Sequence, residues 1–309
     1  NPTLTKDVVI ESESGAERVK IFSYNTTSAW TLNAPGAVLR DLTLFSDRDT
    51  GRGGHALDIM QGTVDGCTVT NFGCYHVDMI TMRAGAGILT NCLVTDCKAR
   101  FRMYFAGVSS GALITHCRFL RNVSDTQSDS YGSLFNLNHA SAVVRNCLIA
   151  ENDIQPHTSE DPGVFYLKSA ATVENCTVVS NRVSGNATTA AVKATSGTVR
   201  NCIIWDNTND TGVNDWTGTA SCFSHCCVST AGLSPDNGNL TSDPMFTTSK
   251  RKPLYSLDFD SPCRDIAELL PWMSAGALDL AGNPRVRHAG PDIGCYECVG
   301  PGSTTLILR

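Results

Sequence analysis

Residues 143–152 read Val-Val-Arg-Asn-Cys-Leu-Ile-Ala-Glu-Asn, and variants of this phrase occur at five other places in the chain. The phrase is centred on a recurring cysteine: Cys67, Cys92, Cys117, Cys147, Cys176 and Cys202. Successive copies are separated by 25, 25, 30, 29 and 26 residues. A nearly fixed period of this size indicates a repeat architecture, in which each unit stacks on its neighbours.

The composition around each cysteine is that of short β-strands. Val, Ile, Thr and Leu occur in runs of four to six residues, and Gly, Asn, Asp and Ser separate the runs. No apolar pattern with helical spacing persists. Leucine-rich repeats share the period, but their Leu-x-x-Leu-x-Leu phrase is absent, and propeller blades are longer. The sequence therefore predicts an all-β parallel β-helix solenoid with about 25–30 residues per coil, the coils lying about 4.8 Å apart.

A second column supports this register. Asparagine stands five residues after the later cysteines, at Asn122, Asn152, Asn181 and Asn207, and Cys97 takes the same place one coil earlier. Stacked asparagines hydrogen-bond along a solenoid and so satisfy buried amides. The cysteine column is predicted to be buried and unreactive. A metal or redox column is disfavoured, because the column contains no Cys-x-x-Cys pair.

Charge and length restrict the possible functions. The chain has 309 residues and a net charge of −6, and its longest basic run is residues 250–252. Nucleic-acid binding is therefore not expected. No apolar run approaches 18 residues, so we expect no membrane span. The first residue is not Met, and we expect flanking domains of a longer chain, with residues 301–309 beginning a Gly/Pro-rich linker.

Eight cysteines lie outside the column, namely Cys74, Cys97, Cys222, Cys226, Cys227, Cys263, Cys295 and Cys298. In an extracellular setting the outer ones could form disulfides, although sequence does not give their connectivity. A zinc site built from Cys295 and Cys298 with Cys222 or Cys226 is an alternative. It is disfavoured, because the paired short spacing of a zinc ribbon is missing.

After Asn207 the repeat becomes irregular. Cys227 nevertheless lies 25 residues beyond Cys202, which predicts one more coil. A distinctive series follows: Asp243-Pro244-Met-Phe246, Ser261-Pro262-Cys263-Arg264-Asp265, Asp279-Leu-Ala-Gly-Asn-Pro-Arg285 and Asp292-Ile-Gly-Cys-Tyr-Glu297. This series resembles the C-terminal ending of secreted bacterial right-handed parallel β-helix proteins, many of them surface-anchored. The usual Gly is absent after Asp265. The resemblance implies a right-handed helix and a secreted or surface location. We assign coils to residues 1–215 and irregular terminal coils with a cap to 216–300.

The ending also has a physical interpretation. A solenoid end exposes unpaired strand edges and an open core. We expect the segment that carries Phe246, Tyr255, Trp272 and Tyr296 to plug that opening. Its acidic residues are predicted to form turns and ion pairs. A calcium site is the alternative, with the carboxylates Asp265, Asp279 and Asp292 as its ligands; no other cofactor is expected.

The candidate functional surface is the outer face of the strand that precedes each cysteine. Tyrosines beside amides and cations suit sugar binding, and the alternative is a plain solvated sheet face. The outward positions are predicted to be Asp58, Thr81, Tyr104, Asn136, Tyr166 and Lys193. A neighbouring stripe carries Gln61, Arg83, Asn138, His139 and Lys168.

The sequence favours an extracellular structural and binding scaffold, adhesin-like or glycan-binding, with a polysaccharide or cell-surface glycan as its partner. A polysaccharide lyase is the alternative, because lyases need a base near a group that neutralises a uronate. Its candidates are Arg83, Tyr104, His139 and Lys168. A hydrolase needs two facing carboxylates. Asp58 and Asp78 lie in adjacent coils, but their different positions within the coil argue against such a pair.

Overall fold

The computed structural model describes residues 2–22, 29–46, 54–75, 78–83, 86–100, 103–108, 111–125, 132–155, 163–184 and 190–299. The predicted linker at 301–309 lies outside these residues. The helical elements of the described chain are two single 3-10 turns, Ala220–Cys222 and Pro235–Asn237. Among the described residues, no helix is long and apolar enough to span a bilayer.

The strands are short and follow one another coil by coil. Coils 1–3 contain β1 (Thr3–Leu4), β2 (Val9–Glu11), β3 (Lys20–Phe22); β4 (Trp30–Leu32), β5 (Val38–Arg40), β6 (Thr43–Phe45); and β7 (Leu57–Ile59), β8 (Thr63–Asp65), β9 (Thr68–Thr70), β10 (Gly73–Tyr75). Coils 4–6 contain β11 (Ile80–Met82), β12 (Ile88–Thr90), β13 (Leu93–Thr95), β14 (Lys98–Arg100); β15 (Met103–Val108), β16 (Leu113–Thr115), β17 (Arg118–Leu120), β18 (Val123–Asp125); and β19 (Gly132–Leu137), β20 (Val143–Arg145), β21 (Leu148–Ala150), β22 (Asp153–Gln155). Coils 7–9 contain β23 (Phe165–Leu167), β24 (Thr172–Glu174), β25 (Thr177–Val179), β26 (Arg182–Val183); β27 (Val192–Ala194), β28 (Thr198–Arg200), β29 (Ile203–Trp205), β30 (Thr208–Asn209), β31 (Gly212–Val213); and β32 (Trp216–Gly218), β33 (Phe223–Ser224), β34 (Cys227–Val228).

Equivalent strands stack in register into four sheets. Sheet 1 is β1-β4-β7-β11-β15-β19-β23-β27-β32, sheet 2 is β2-β5-β8-β12-β16-β20-β24-β28-β33, sheet 3 is β3-β6-β9-β13-β17-β21-β25-β29-β34, and sheet 4 is β10-β14-β18-β22-β26-β30-β31. All pairings are parallel except β30 with β31. The prediction of an all-β parallel β-helix is confirmed. The parallel stack continues past residue 215, since β32, β33 and β34 extend sheets 1 to 3.

The corner between sheets 2 and 3 explains the residue before each cysteine. Asn91, Asn146 and Asn175 have φ values of 54°, 50° and 49°, in the left-handed region that Asn tolerates better than most residues. Gly66 takes the same corner one coil below Asn91 with φ 62°. The repeated Asn-Cys phrase is therefore a corner residue followed by an inward-pointing thiol.

The cysteine column lies inside the solenoid. Each thiol donates to a carbonyl oxygen of the coil below, for example Cys92 Sγ to Val64 O at 3.7 Å and Cys117 Sγ to Leu89 O at 3.6 Å. Burial raises the pKa of the Cys92 thiol well above its ordinary value, which keeps it protonated. The additional coil exists, but its column member is Cys226, because Ile203 pairs with Cys227. Cys227 itself faces outward.

The asparagine column is a continuous hydrogen-bonded ladder. The Nδ2 group of each Asn donates to the Oδ1 of the next, at 3.0 Å from Asn122 to Asn152, 2.8 Å from Asn152 to Asn181 and 2.9 Å from Asn181 to Asn207. Each Oδ1 also accepts the backbone N–H of the Asn below. The ladder ends on the carboxylate of Asp215, which accepts from Asn207 at 2.9 Å. Every amide in the column is thereby paired.

The C-terminal part has two roles, and the predicted plug is wrong for most of it. Residues 229–240 close the end of the stack, where buried Leu233 joins the solenoid core. Residues 241–299, here called the fold-back segment, instead lie along the outer face of sheet 3. Tyr296 packs against Leu148 and Val179, and Phe246 and Tyr255 border the same cluster. This path follows from sheet 3, whose outward residues in coils 6–8 are apolar except Thr177 and need cover.

Candidate functional site

The register of sheet 1 defines one outward column along the solenoid. Tyr104 is wrongly predicted to belong to it, because Thr81 pairs with Gly107 and Tyr104 pairs with Ser133. Strand β15 is six residues long, so its first residues precede this column. The side chain of Tyr104 lies outside the described part of the structure. The column contains Thr31, Asp58, Thr81, Gly107, Asn136, Tyr166, Lys193 and Thr217.

The neighbouring stripe lies two residues after the outward column, one residue past the end of each strand. Arg83, Asn138 and Lys168 follow strand ends that are in register, and all three are exposed. Gln61 and His139 stand one residue further along their coils. In the outward column, by contrast, Thr81 is fully buried and Asn136 is 8% exposed. The accessible part of the candidate surface is therefore the stripe together with coils 7 and 8.

Coils 7 and 8 place two lysines on one aromatic ring. Tyr166 is half-buried, and its ring centroid lies 4.3 Å from Lys168 Nζ and 5.3 Å from Lys193 Nζ. Lys193 is directly in register with Tyr166, whereas Lys168 lies two residues later in the same coil. Such cation–π contacts hold ammonium groups in a fixed place at a surface. This cationic cluster, Tyr166 with Lys168 and Lys193, presents N–H donors and an aromatic edge to a ligand.

Coils 3 and 4 bring together a second group, which includes a residue the sequence analysis missed. His55 Nδ1 lies 2.5 Å from Asp78 O, and its Nε2 lies 3.1 Å from Arg83 Nη2. A carbonyl oxygen only accepts, so Nδ1 carries the proton and Nε2 accepts from Arg83. Asp58 is bonded to Thr81 Oγ1 at 2.6 Å. The 28-residue separation of His55 and Arg83 is one coil, but no motif marks the pair.

Asp58 and Asp78 do not form a facing pair. Asp58 is in register with Thr81, whereas Asp78 lies three residues before Thr81. Their carboxylates thus leave the strand face at different points along the coil. The geometry agrees with the sequence argument against a two-carboxylate hydrolase on this face.

Two of the three predicted calcium ligands, Asp279 and Asp292, have their carboxylate oxygens engaged by backbone N–H groups. Asp279 Oδ1 accepts the backbone N–H groups of Ala281 and Asn283 at 2.9 and 2.7 Å. Its Oδ2 accepts the N–H of Glu297 at 2.7 Å. Asp292 accepts N–H groups from Asp265 and Cys298. Among the residues the structure describes, no group of three or more His, Cys, Asp or Glu side chains is arranged to hold a metal.

A buried ion pair completes this arrangement in the fold-back segment. Arg285 is fully buried, and its Nε lies 3.2 Å from Glu297 Oε1. Arg285 also donates to the backbone oxygen of Asp292. Burial raises the pKa of Glu297 to about 8, with Arg285 opposing the shift. Burial likewise raises the pKa of Asp292. The acidic motifs thus satisfy backbone N–H groups of an irregular buried segment and place a carboxylate beside its buried guanidinium.

All fourteen cysteines are buried. The expected disulfides among the outer cysteines are absent from this structure, in which these thiols are packed among apolar side chains. Cys295 lies in the cluster with Leu148 and Val179, while Cys298 lies in a different cluster with Ile203 and Leu257. The two thiols of the Cys-x-x-Cys pair therefore face different parts of sheet 3, which contradicts the alternative of a shared zinc site.

Four in-register sheets, two internal ladders and an accessible strand face define a protein of the parallel β-helix class. The family described as the right-handed β-helix region matches residues 8–228, from just before β2 to the end of β34. The chain belongs to this family, and its helix is right-handed. No curated protein matches the chain. The same fold serves polysaccharide binding, polysaccharide cleavage and adhesion, so function must be argued from the site.

Proposed function

We propose that this chain is an extracellular scaffold that binds an anionic glycan along the outer face of sheet 1. The observation that carries the proposal is the cationic cluster, in which Lys168 and Lys193 flank the ring of Tyr166 at 4.3 and 5.3 Å. Aromatic rings stack on sugar faces, and fixed ammonium groups pair with carboxylates or sulfates. The chain as a whole carries a net charge of −6, so this cluster is a local exception.

The shape of the face fits an extended ligand. The column from Asp58 to Lys193 crosses five coil steps, which at about 4.8 Å each gives roughly 24 Å. Every coil is fixed to its neighbours by parallel strand pairing, so the accessible polar groups of the stripe and of coils 7 and 8 are held in fixed positions. A rigid, linear array of this kind loses little conformational freedom when a polymeric ligand binds. The resemblance to secreted surface proteins supports the extracellular location in the proposal.

The test is the affinity for polygalacturonate and for neutral dextran, measured by isothermal titration at two salt concentrations. The double variant Lys168→Ala, Lys193→Ala should weaken polygalacturonate binding at least about tenfold, since two charge-assisted contacts are lost. Lys250→Ala, in an exposed turn far along the chain, is the matched control and should bind as the parent does. Equal binding of dextran, or unchanged binding by the double variant, would contradict the proposal.

A polysaccharide lyase remains the second candidate, because His55 and Arg83 lie together on the same face. In β-elimination a base removes the proton beside a uronate carboxylate, and a cation stabilises the resulting charge. The bond to the neighbouring glycosidic oxygen then breaks as the double bond forms, and the departing oxygen takes up a proton from water. Arg83 could supply the cation and the Nε2 of His55 the base once a substrate draws Arg83 away. Unsaturated product, followed at 235 nm with and without calcium, should appear with the parent and disappear in His55→Gln. If the absorbance at 235 nm does not rise with any uronate polysaccharide, the lyase is excluded and the scaffold is the remaining candidate function.

A further inference from the structure

The last coil and the fold-back segment bring two thiols together. Cys227 lies in β34, where it pairs with Ile203 of sheet 3 and faces outward. Cys263 lies in the fold-back segment that covers this face, and both side chains are fully buried. The Cys227 thiol is in side-chain hydrogen-bond contact with Cys263. The two belong to one apolar cluster with Ile203 and Leu257, which neither the scaffold proposal nor the lyase alternative uses.

The backbone on both sides of this contact is fixed. The N–H of Cys227 donates to the carbonyl oxygen of Cys202 at 2.9 Å, as part of the parallel stack. Cys263 accepts from the N–H of Ile293 at 2.8 Å and donates its own N–H to Ser261 Oγ at 3.1 Å. Both cysteines are therefore held in place independently of the contact between their sulfurs.

The geometry of the pair differs from that of the internal cysteine column. Cys92 and Cys117 are equivalent residues of adjacent coils, about 4.8 Å apart, and their side chains point the same way. Their Cβ atoms are thus about as far apart as their Cα atoms, whereas a disulfide needs Cβ atoms about 3.5–4.5 Å apart. Cys227 and Cys263 come from facing elements, so their side chains point toward each other, as the bond requires.

The other two cysteines of the fold-back segment have different surroundings. Cys298 lies in the same cluster, but its Sγ donates to the backbone oxygen of Asp258 at 3.4 Å. Cys295 lies in the other cluster, beside Leu148. Of the three cysteines in the fold-back segment, all within the described residues, Cys263 is the one placed against a thiol of the solenoid.

We propose that Cys227 and Cys263 form a disulfide clasp, which joins the fold-back segment to the last coil. The inference rests on the extracellular location in the proposed function, because disulfides persist in oxidising surroundings. One Sγ–Sγ bond forms, and each cysteine gives up one proton and one electron. The oxidant is a small disulfide such as oxidised glutathione, whose own S–S bond breaks to give two thiols. The clasp links residues 36 positions apart and so keeps the segment on sheet 3 when its noncovalent contacts open.

Burial determines when this bond forms. Contact with Cys263 and burial both raise the pKa of the Cys227 thiol, so the attacking thiolate is scarce in the folded protein. Thiol–disulfide exchange is therefore expected during folding or local opening of the segment, and it is slow in the closed native state. The same burial shields the finished bond from reducing agents.

The test is refolding of the full chain from urea in a mixture of oxidised and reduced glutathione, followed by iodoacetamide and peptide mapping. The parent should give one main crosslink, between the peptides that carry Cys227 and Cys263. Cys263→Ala and Cys227→Ala should each lose it, the second although the neighbouring Cys226 remains. Cys298→Ala, in the same cluster, is the matched control and should retain it. Mapping of the parent decides the linkage even if a variant fails to fold.

Protease sensitivity measures what the clasp does. Thermolysin should digest the fold-back segment at least about tenfold more slowly in the oxidised parent than in the reduced parent, because the closed loop restricts opening. In Cys263→Ala the two conditions should give equal rates. Absence of the crosslink, linkage of Cys263 to another cysteine, or equal digestion of the oxidised and reduced parent would overturn the proposal.

The affinity for polygalacturonate separates the clasp from the proposed function. The cationic cluster lies on sheet 1, whereas the two thiols lie at sheet 3. Polygalacturonate binding without the crosslink would overturn the clasp alone. The crosslink without polygalacturonate binding would support the clasp and contradict only the glycan proposal.

Discussion

The asparagine ladder and the fold-back segment both bury polar groups, but they satisfy them by opposite means. The ladder uses neutral amides, each bonded to the next at 2.8 to 3.0 Å from Asn122 to Asn207. The fold-back segment uses charged groups, with Arg285 on Glu297 and Asp279 on backbone N–H groups. The polar groups of both regions are buried, so the difference does not come from exposure to solvent.

The contrast arises from symmetry. In the coils every residue has an equivalent about 4.8 Å away, and an amide, which both donates and accepts, can pair with its own copy. The residues of the fold-back segment have no equivalents in a neighbouring coil, so its inward N–H groups meet no matching carbonyl. A carboxylate can accept several of them at once. Apart from the Asp215 carboxylate at its end, the ladder contains no titratable group, whereas the solution in the fold-back segment depends on protonation.

The largest effect should come from removing the cation of the fold-back segment. Above pH 8, where Glu297 is ionised in the folded state, Arg285→Met leaves its buried carboxylate without a partner, and breaking a buried pair costs about 3–5 kcal/mol. We expect the free energy of unfolding in urea to fall by this amount, and residues 241–299 to become sensitive to protease. Arg251→Met, at an exposed turn, should change stability little. A loss below about 1 kcal/mol would show that the pair does not hold the segment.

Breaking the ladder should cost somewhat less. Asn152→Ala removes the bonds of Asn152 to Phe119 O and Asn181, and leaves the N–H groups of Asn122 without an acceptor. Buried unsatisfied groups predict a loss of about 2–4 kcal/mol in the free energy of unfolding. Asn138→Ala, in the exposed stripe, is the control and should be near neutral. Similar losses for the two variants would mean that the ladder adds no stability of its own.

The two regions should also differ in their response to pH. The pKa of Glu297 is raised from 4.5 to about 8, so the folded state retains a proton that the unfolded chain releases. Its stabilising contribution is complete below about pH 4.5 and is lost as the pH rises through 8. Between pH 5 and pH 8 the free energy of unfolding should fall by about 3–4 kcal/mol. Glu297→Gln should remove most of this slope, and Glu268→Gln, which is exposed, should keep it.

The smallest predicted change in the free energy of unfolding comes from substituting outward leucines in the covered and uncovered parts of sheet 3. Leu93 and Leu148 are equivalent outward residues two coils apart, but Leu93 is half-buried and Leu148 is 1% exposed under the fold-back segment. Leu148→Thr should cost about 1–2 kcal/mol through lost apolar burial. Leu93→Thr should cost under about 0.5 kcal/mol, since much of that side chain meets water already. Equal costs in thermal unfolding would indicate that the segment does not cover coil 6 in solution.

Residues that repeat with the coil could be placed from the sequence. The cysteine column and Asn122 to Asn207 fall where the period predicts, because each coil repeats the corner beside them. The errors occur where the period is disturbed. Tyr104 is displaced from its column because β15 is a six-residue strand, and Cys226 rather than Cys227 continues the cysteine column.

Contacts between segments of unlike sequence could not be predicted in the same way. The sequence shows apolar runs in β21 and β29, but not that residues 241–299 return along sheet 3 to cover them. The pairing of His55 with Arg83 joins a residue before a strand in one coil to a residue after a strand in the next. Neither position belongs to a repeated phrase.

The stacked architecture, its period and its internal ladders could be predicted from the sequence alone, because residues that contact each other in adjacent coils recur at nearly equal spacing along the chain. The tertiary structure alone decided where the fold-back segment lies, why its acids accept N–H groups, and that Cys263 meets Cys227. Those outcomes depend on long-range contacts between non-equivalent surfaces. Such contacts follow shape and burial in three dimensions, and no spacing in the chain records them.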